Sequence, residues 1–600
     1  TVIRVEWENA IVDAKTIRAR GGYEYFEKDK NYIYEIAQWY PRLAAYTDVN
    51  GWQHKQFLGR GEFTLEFGDY RVAITVPDDH IVGSTGTLKN AGEVLSREQR
   101  ERFKAAAESK EPVMIVNLEE ATANEKKKGK GKRTWVFEAK NVRDFAWASS
   151  RKFLWDAMGV EVGGKTVMAM SYYPKEGEPL WSRYSTHSVA HTIEVYSKFT
   201  FDYPYPVAIS VNGPVYGMEY PMICFNGPRP EEDGTYSKRT KYGLISVIIH
   251  EVGHNWFPMI VNSDERQWTW MDEGLNTFLQ TLTEAEWEED YPRRRGVPAS
   301  IVGYMASGNQ RPIMTNSESV LQFGNNAYGK PATALNILRE TVMGRELFDF
   351  AFKEYSRRWM FKRPQPGDFF RSMEDASGVD LDWFWRGWFY TTKRVDVAIG
   401  GVRRYDLDAR DPDVEKPKQK VERDEDLAKN VSRERDQKLR KYTDGRPDLL
   451  DFYNEYDELD VTEKDREGYE KLVEELEPWE KELLKSQRYF YVVELENVGG
   501  LVMPVILDVY YEDGSKERLR LAAEIWKSNG RSASKLILAK KAIAKLELDP
   551  QRETADTDVD NNYWPPRMRE EGFQLKGDED KSNPMRDAKE AAEKAATKAD

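Results

Sequence analysis

The stretch Ile248-Ile249-His250-Glu251-Val252-Gly253-His254-Asn255-Trp256-Phe257-Pro258 sets two histidines four residues apart in an apolar, helix-like run that ends at a proline. On a helix such a pair shares one face about a turn apart, so both imidazoles can reach a single ion. Glu251, next to the first histidine, can lie beside the ion's open position rather than on it, where a base for water belongs. The chemistry these residue types allow is metal-assisted hydrolysis. The chain holds only 6 histidines, which makes a fortuitous His-Glu-x-x-His rare. His187-Ser188-Val189-Ala190-His191 repeats the spacing, but Ser188 stands where a carboxylate is needed, so it reads as an ordinary helix face.

A catalytic zinc ion takes three protein ligands and keeps a fourth position open. One Zn2+ is expected, with its third ligand downstream. Trp268-Thr269-Trp270-Met271-Asp272-Glu273-Gly274-Leu275-Asn276 opens the next helix-like run, and Glu273 lies 19 positions beyond His254. Asp272 is adjacent, and spacing alone does not separate the two carboxylates.

His250, Glu251, His254 and Glu273 fit without a gap the pattern His-Glu-x-x-His, eighteen residues, then Glu. In this the chain resembles the zinc aminopeptidases of the aminopeptidase N and leukotriene hydrolase group, the gluzincin metallopeptidases. The resemblance favours Glu273 over Asp272 and implies a thermolysin-like, mostly helical peptidase domain. The group also carries a Gly-x-Met-Glu-Asn segment whose Glu binds the free α-ammonium of a peptide. Tyr216-Gly217-Met218-Glu219-Tyr220-Pro221 lies in the corresponding place, with Tyr220 where the pattern has Asn. By resemblance, Gly217, Met218 and Glu219 are substrate-binding residues; a fixed carboxylate there would pair with an ammonium and reject blocked N-termini. Tyr328, in Asn326-Ala327-Tyr328-Gly329-Lys330-Pro331, matches the group's oxyanion-stabilising tyrosine, and Gln38, in Ala37-Gln38-Trp39-Tyr40-Pro41-Arg42, a glutamine lining its specificity pocket.

The implied activity is zinc-dependent hydrolysis of the N-terminal bond of peptides, with Glu251 as the base. Two other readings stand beside it. One is a zinc endopeptidase in which Glu219 is structural. The other is a non-catalytic subunit of an exported assembly that docks through its charged segment and C-terminal sandwich.

These residues need a scaffold to bring them together. A chain of 600 residues exceeds one core, and 40% hydrophobic with 12% aromatic residues is ample for several. Multidomain α+β architecture is expected: an N-terminal β-rich domain over 1–148, the zinc peptidase domain over 149–400, a charged helical segment or linker over 401–487, a C-terminal β-sandwich over 488–560, and a largely disordered tail over 561–600. Alternation at Tyr32–Ile36, Glu62–Phe67 and Tyr70–Pro77 predicts strands. Helical periods follow at His187–Phe199, Tyr242–Phe257, Glu273–Glu288 and Ala332–Met343.

A net charge of -14 and a pI near 5.3 argue against a nucleic-acid partner. The one dense basic run, Lys126–Arg133, reads as a solvated hairpin loop. A single cysteine, Cys224, allows no intrachain disulfide, and no apolar window of about 18 residues offers a membrane span. The chain opens at Thr1 already in strand-like alternation, from which export with a removed signal peptide is favoured over a cytoplasmic location.

Overall fold

A computed structural model describes residues 2–597, apart from 18, 487, 569–571 and 574–582. The first part of the chain is β-rich, as its alternation predicts. A four-stranded sheet runs in the order Gly22–Phe26, Asn31–Ile36, Trp147–Ser150, Ile81–Ser84, and a three-stranded sheet in the order Gly68–Pro77, Lys132–Val142, Thr87–Leu88. In the second strand Ile33 is fully buried while Tyr32 faces solvent, the period-two pattern that makes such a segment a strand.

Two local expectations are corrected. Glu62–Phe67 is not a strand but an irregular segment held by a bridge from Leu65 to Ala44 and by the neighbouring domain. Asn262 donates to the Leu65 carbonyl at 3.0 Å, and Thr64 donates to Asp264 at 3.2 Å. Its backbone groups find partners outside any sheet, which overrides the alternation. The basic run Lys126–Arg133 does not turn a hairpin. Leu118–Lys127 is a helix with a capping box at Asn117, and lysines in its last turn oppose the negative end of the helix dipole.

The central part is built on a six-stranded sheet in the order Gly217–Tyr220, Ile223–Asn226, Val207–Asn212, Lys165–Tyr173, Leu154–Val162, Val113–Val116. Gly163 and Gly164, at φ 57° and 73°, make the two-residue turn between Leu154–Val162 and Lys165–Tyr173 that needs positive φ at both positions. The helix Leu180–Phe199 then crosses to Val207–Asn212, which pairs parallel with Lys165–Tyr173. Its buried face, Val189, Ile193 and Tyr196, packs on the sheet and on the helices Lys238–Gly253 and Leu275–Trp287. Gly217–Tyr220 is the edge strand of this sheet.

Asp156 sits beneath this layer, 1% exposed. Tyr173 donates to it at 2.7 Å and Thr186 donates to its other oxygen, yet burial pushes its pKa up to about 7. The folded state therefore holds a proton that the unfolded chain releases near pH 4, and this group's contribution to stability is lost as pH rises through 7. Relative to Asp156→Asn, the wild-type unfolding free energy is expected to fall by roughly 2–4 kcal/mol between pH 4 and pH 7. Parallel pH profiles for the two proteins in denaturant titrations would refute this.

The C-terminal part is a sandwich of two sheets, one in the order Val397–Tyr405, Tyr489–Asn497, Ser532–Ala539 and the other Lys516–Leu521, Val505–Tyr511, Ile543–Leu548, Tyr563–Trp564. Its core includes Val493, Leu495, Leu507, Val509 and Leu546, all fully buried. The charged stretch is inserted between the first two strands of the first sheet. Its helices Pro412–Ala428 and Glu463–Glu475 are joined by ion pairs such as Arg466–Asp413 at 2.9 Å and Lys416–Asp465 at 2.8 Å, and bury little apolar surface. Met503 ties the sandwich to the central part: its sulfur accepts from the Trp388 indole at 3.4 Å and its carbonyl from Trp526 at 2.9 Å. The tail expected over 561–600 falls partly outside the described residues; within them Pro584–Thr597 is helical. Among the described residues no helix is long and apolar enough to cross a membrane.

Candidate metal centre

The helix Lys238–Gly253 begins at Ser237, whose hydroxyl accepts from the Thr240 amide at 3.1 Å, and carries His250 and Glu251 in its last turn, with His254 as its C-cap. Gly253 is required by packing rather than conformation: a Cβ there would lie 2.3 Å from both the Asn276 side-chain oxygen and the Tyr196 hydroxyl. Those two groups hydrogen-bond each other at 2.8 Å, and Asn276 donates to the His250 carbonyl at 2.8 Å. This contact locks the three helices around the site. After a bend through Trp256 and Pro258 the chain returns, and Trp270–Gly274 leads into Leu275–Trp287, presenting Glu273 to both histidines.

The three side chains converge. His250 Nε2 is 3.1 Å from His254 Nε2 and 3.1 Å from Glu273 Oε2, and His254 Nε2 is 3.3 Å from the same oxygen. Tetrahedral ligands about 2.05 Å from one zinc ion stand about 3.3 Å apart, so the triangle fits that ion. The tautomers agree. His250 Nδ1 faces the Gln280 side-chain oxygen at 2.9 Å, and His254 Nδ1 faces the Phe257 carbonyl at 2.8 Å and Asp272 at 3.0 Å. With acceptors on each Nδ1, the protons sit there and both Nε2 lone pairs point at the common centre. Burial pushes Glu273 up, but His254 and His250 overcome it and hold the carboxylate well below its usual range. Asp272 lies behind His254, where it orients the ring. A second cluster, Glu219, His254 and Asp272, also comes within ligand reach, but Asp272 meets His254 through the Nδ1 already engaged by Phe257.

Glu251 is buried, and its Oε2 has no hydrogen-bond partner within the protein, which leaves that oxygen open to a water or ligand. Burial, with Glu219 nearby, raises its pKa well above the ordinary carboxylate value. Gly217 passes so close that a Cβ there would be 2.9 Å from Glu251 Oε1. The Tyr328 hydroxyl donates to Glu273 Oε1 at 2.6 Å, its ring stacks on His250 at 5.7 Å between centroids, and burial beside Glu273 keeps it protonated.

Glu219 is buried in the edge strand, a carboxylate oxygen within 4.8 Å of ligand atoms of His254 and Asp272. Met218 points away, its sulfur contacted by the Arg20 guanidinium at 2.7 Å. Gln38, at φ 53°, reaches the Tyr220 hydroxyl at 3.5 Å rather than the three ligand candidates. Arg20 and Glu62, ion-paired with each other, come from the N-terminal part into the field of Glu219; burial pushes Glu62 up to about 7. Neither was foreseeable from local pattern. Gln280 was, since it stands seven residues, or two helical turns, beyond Glu273 on the same face. The decoy pair is structural: His191 faces the Thr283 carbonyl at 2.9 Å.

A cleft of about 740 Å³ opens from His250, Glu251 and Tyr328 along the helix towards Lys238. Fold and site together bring the His-Glu-x-x-His pair and Glu273 into one group able to hold a metal ion, set in a sheet-and-helix domain. Residues 184–388 match the family model described as the Peptidase family M1 domain. The chain is similar to bovine (Bos taurus) glutamyl aminopeptidase, 27% identical over 160 residues, covering 25% of this chain and 16% of that protein. It is also similar to leucyl aminopeptidase of Saccharolobus solfataricus, 25% identical over 235 residues, covering 36% of this chain and 30% of the relative. Among solved structures, it is similar to Legionella pneumophila aminopeptidase A in complex with aspartic acid, with TM-score 0.48 and 11% identity, covering 90% of this chain and 46% of that one. The chain thus spans well under half of the length of the curated relatives named here.

Proposed function

We propose that this protein is a zinc-dependent aminopeptidase that removes single residues from the free N-terminus of peptides. The observation that carries the reading is the meeting of three ligand atoms, an unpartnered buried Glu251 and a buried Glu219 along one sheet edge. The relatives' names, glutamyl and leucyl aminopeptidase, support the same class.

His250, His254 and Glu273 would hold the zinc ion. When bound, zinc supplies Lewis acidity to water and to the scissile carbonyl. Glu251, its proton affinity raised by burial, takes the proton from the attacking water and returns it to the departing amine. Tyr328 donates its hydroxyl to the carbonyl oxygen as that oxygen gains charge, leaving its resting contact with Glu273. Glu219 accepts the peptide's α-ammonium, and the edge strand Gly217–Tyr220 offers unpaired backbone groups for the peptide to pair with.

Peptides with a free N-terminus are expected to be cleaved and their N-acetylated counterparts to be refused, with a chelator abolishing turnover of the former. Equal cleavage of both would favour the endopeptidase reading. Tyr328→Phe is expected to lower kcat by roughly 10²–10³-fold with little change in KM or zinc content, the usual cost of one oxyanion donor. A KM effect alone would make the hydroxyl a binding group instead.

A further inference from the structure

We propose that the cleft leading away from Glu251 is a carboxylate-binding subsite for the leaving portion of the substrate, so that tripeptides with a free C-terminus, or peptides acidic at the second residue past the cleaved bond, are preferred. This rests on the aminopeptidase reading and adds the substrate class.

Direction comes from the edge strand. Its residues run from Glu219, which takes the N-terminus, past Gly217 beside Glu251, to Tyr216, which is 68% exposed at the cleft wall. A peptide anchored at Glu219 and paired along this edge must send its remainder into the cleft. There the charge balance of the chain reverses. Against a net charge of -14, the cleft lining carries Arg229, Lys238, Arg239, Arg294 and Arg295, with Glu251 and Glu284 as its acids.

Arg229 is ion-paired, gripping Glu24 at 2.9 and 2.7 Å. Lys238 rests over the Tyr242 ring at 5.7 Å and Arg295 over the Tyr328 ring at 4.4 Å. Among the described residues, Lys238, Arg239, Arg294 and Arg295 have no carboxylate at ion-pair distance, and Glu284 is buried and bonded to Gln280 at 2.8 Å. These four cations in a concave site that starts at the reacting atoms suit a carboxylate, which a guanidinium pair can bind bidentately. Arg295 links the subsite to the chemistry through its stacking on the proposed oxyanion donor.

The test is equilibrium binding, by calorimetry at low salt, to the zinc-loaded full chain carrying Glu251→Gln, with four probes: trialanine, trialanine amide, and dialanyl-aspartate and dialanyl-asparagine as amides. Trialanine is expected to bind about tenfold tighter than its amide, a span set by one or two partly exposed charge contacts. Arg239→Gln with Arg294→Gln should bring that ratio close to one while leaving the amide's affinity unchanged. A preference for the aspartate probe over the asparagine probe assigns the site to side chains, and a preference for free trialanine alone assigns it to the C-terminus. Equal binding of acid and amide in both pairs, or a ratio that survives the double substitution, overturns the proposal. N-acetylated versions of the four separate the two readings: if they bind as well as the free peptides, Glu219 does not select N-termini, and the acid-to-amide ratio is still read on them.

Discussion

Glu251→Gln is expected to keep its zinc and lose roughly 10²–10⁴-fold of kcat, the range supplied by a general base. The side chain is isosteric, and neither of its oxygens belongs to the ligand triangle, whose atoms are His250 Nε2, His254 Nε2 and Glu273 Oε2. Metal content should therefore stay at one ion per chain. What disappears is the proton acceptor, because an amide cannot take the proton from water. Stability should not suffer, since the amide keeps the carboxyl's size at a position where burial and Glu219 already disfavour a negative charge. Metal analysis alongside turnover of alanine p-nitroanilide checks both halves. Near-wild-type turnover would remove Glu251 from the reaction, and loss of metal would move it into the ligand set.

Removing a ligand should act in the opposite order. His254→Ala or Glu273→Ala is expected to weaken zinc binding by well over 100-fold, because groups that only orient ligands account for 10–100-fold. Activity then disappears with the metal and returns in part at high zinc concentration. The same principle grades the surroundings: Asp272→Asn and Gln280→Ala, each facing a histidine Nδ1 at 3.0 and 2.9 Å, should cost 10–100-fold in affinity without abolishing it. Competition against a chromogenic chelator orders the four variants. If Asp272→Asn lost metal as completely as Glu273→Ala, the second cluster, with Glu219 and His254, would be the true site.

Glu62 shows why local pattern stops short of the site. Its segment alternates like a strand, yet Asn262 and Thr64–Asp264 contacts hold it irregular and deliver the carboxylate beside Arg20 and Glu219. The sandwich is similar. Val397–Tyr405 pairs with Tyr489–Asn497 across the whole charged insertion, a pairing no window of sequence contains.

Type and spacing alone determined the helix with His250, Glu251 and His254, since a four-residue repeat on a 3.6-residue helix puts both imidazoles on one face whatever lies around it. They also narrowed the third ligand to two adjacent carboxylates. Only the tertiary structure decided how those two lie: the return of the chain through Trp270–Gly274 turns Glu273 to the Nε2 atoms and Asp272 to an Nδ1. It also decided that cations from Lys238–Arg239 and Arg294–Arg295, about fifty-five residues apart, face one cleft. Helical periodicity acts between neighbours in sequence, whereas the rotation of one helix against another and the field inside a cleft depend on packing between segments that sequence distance does not relate.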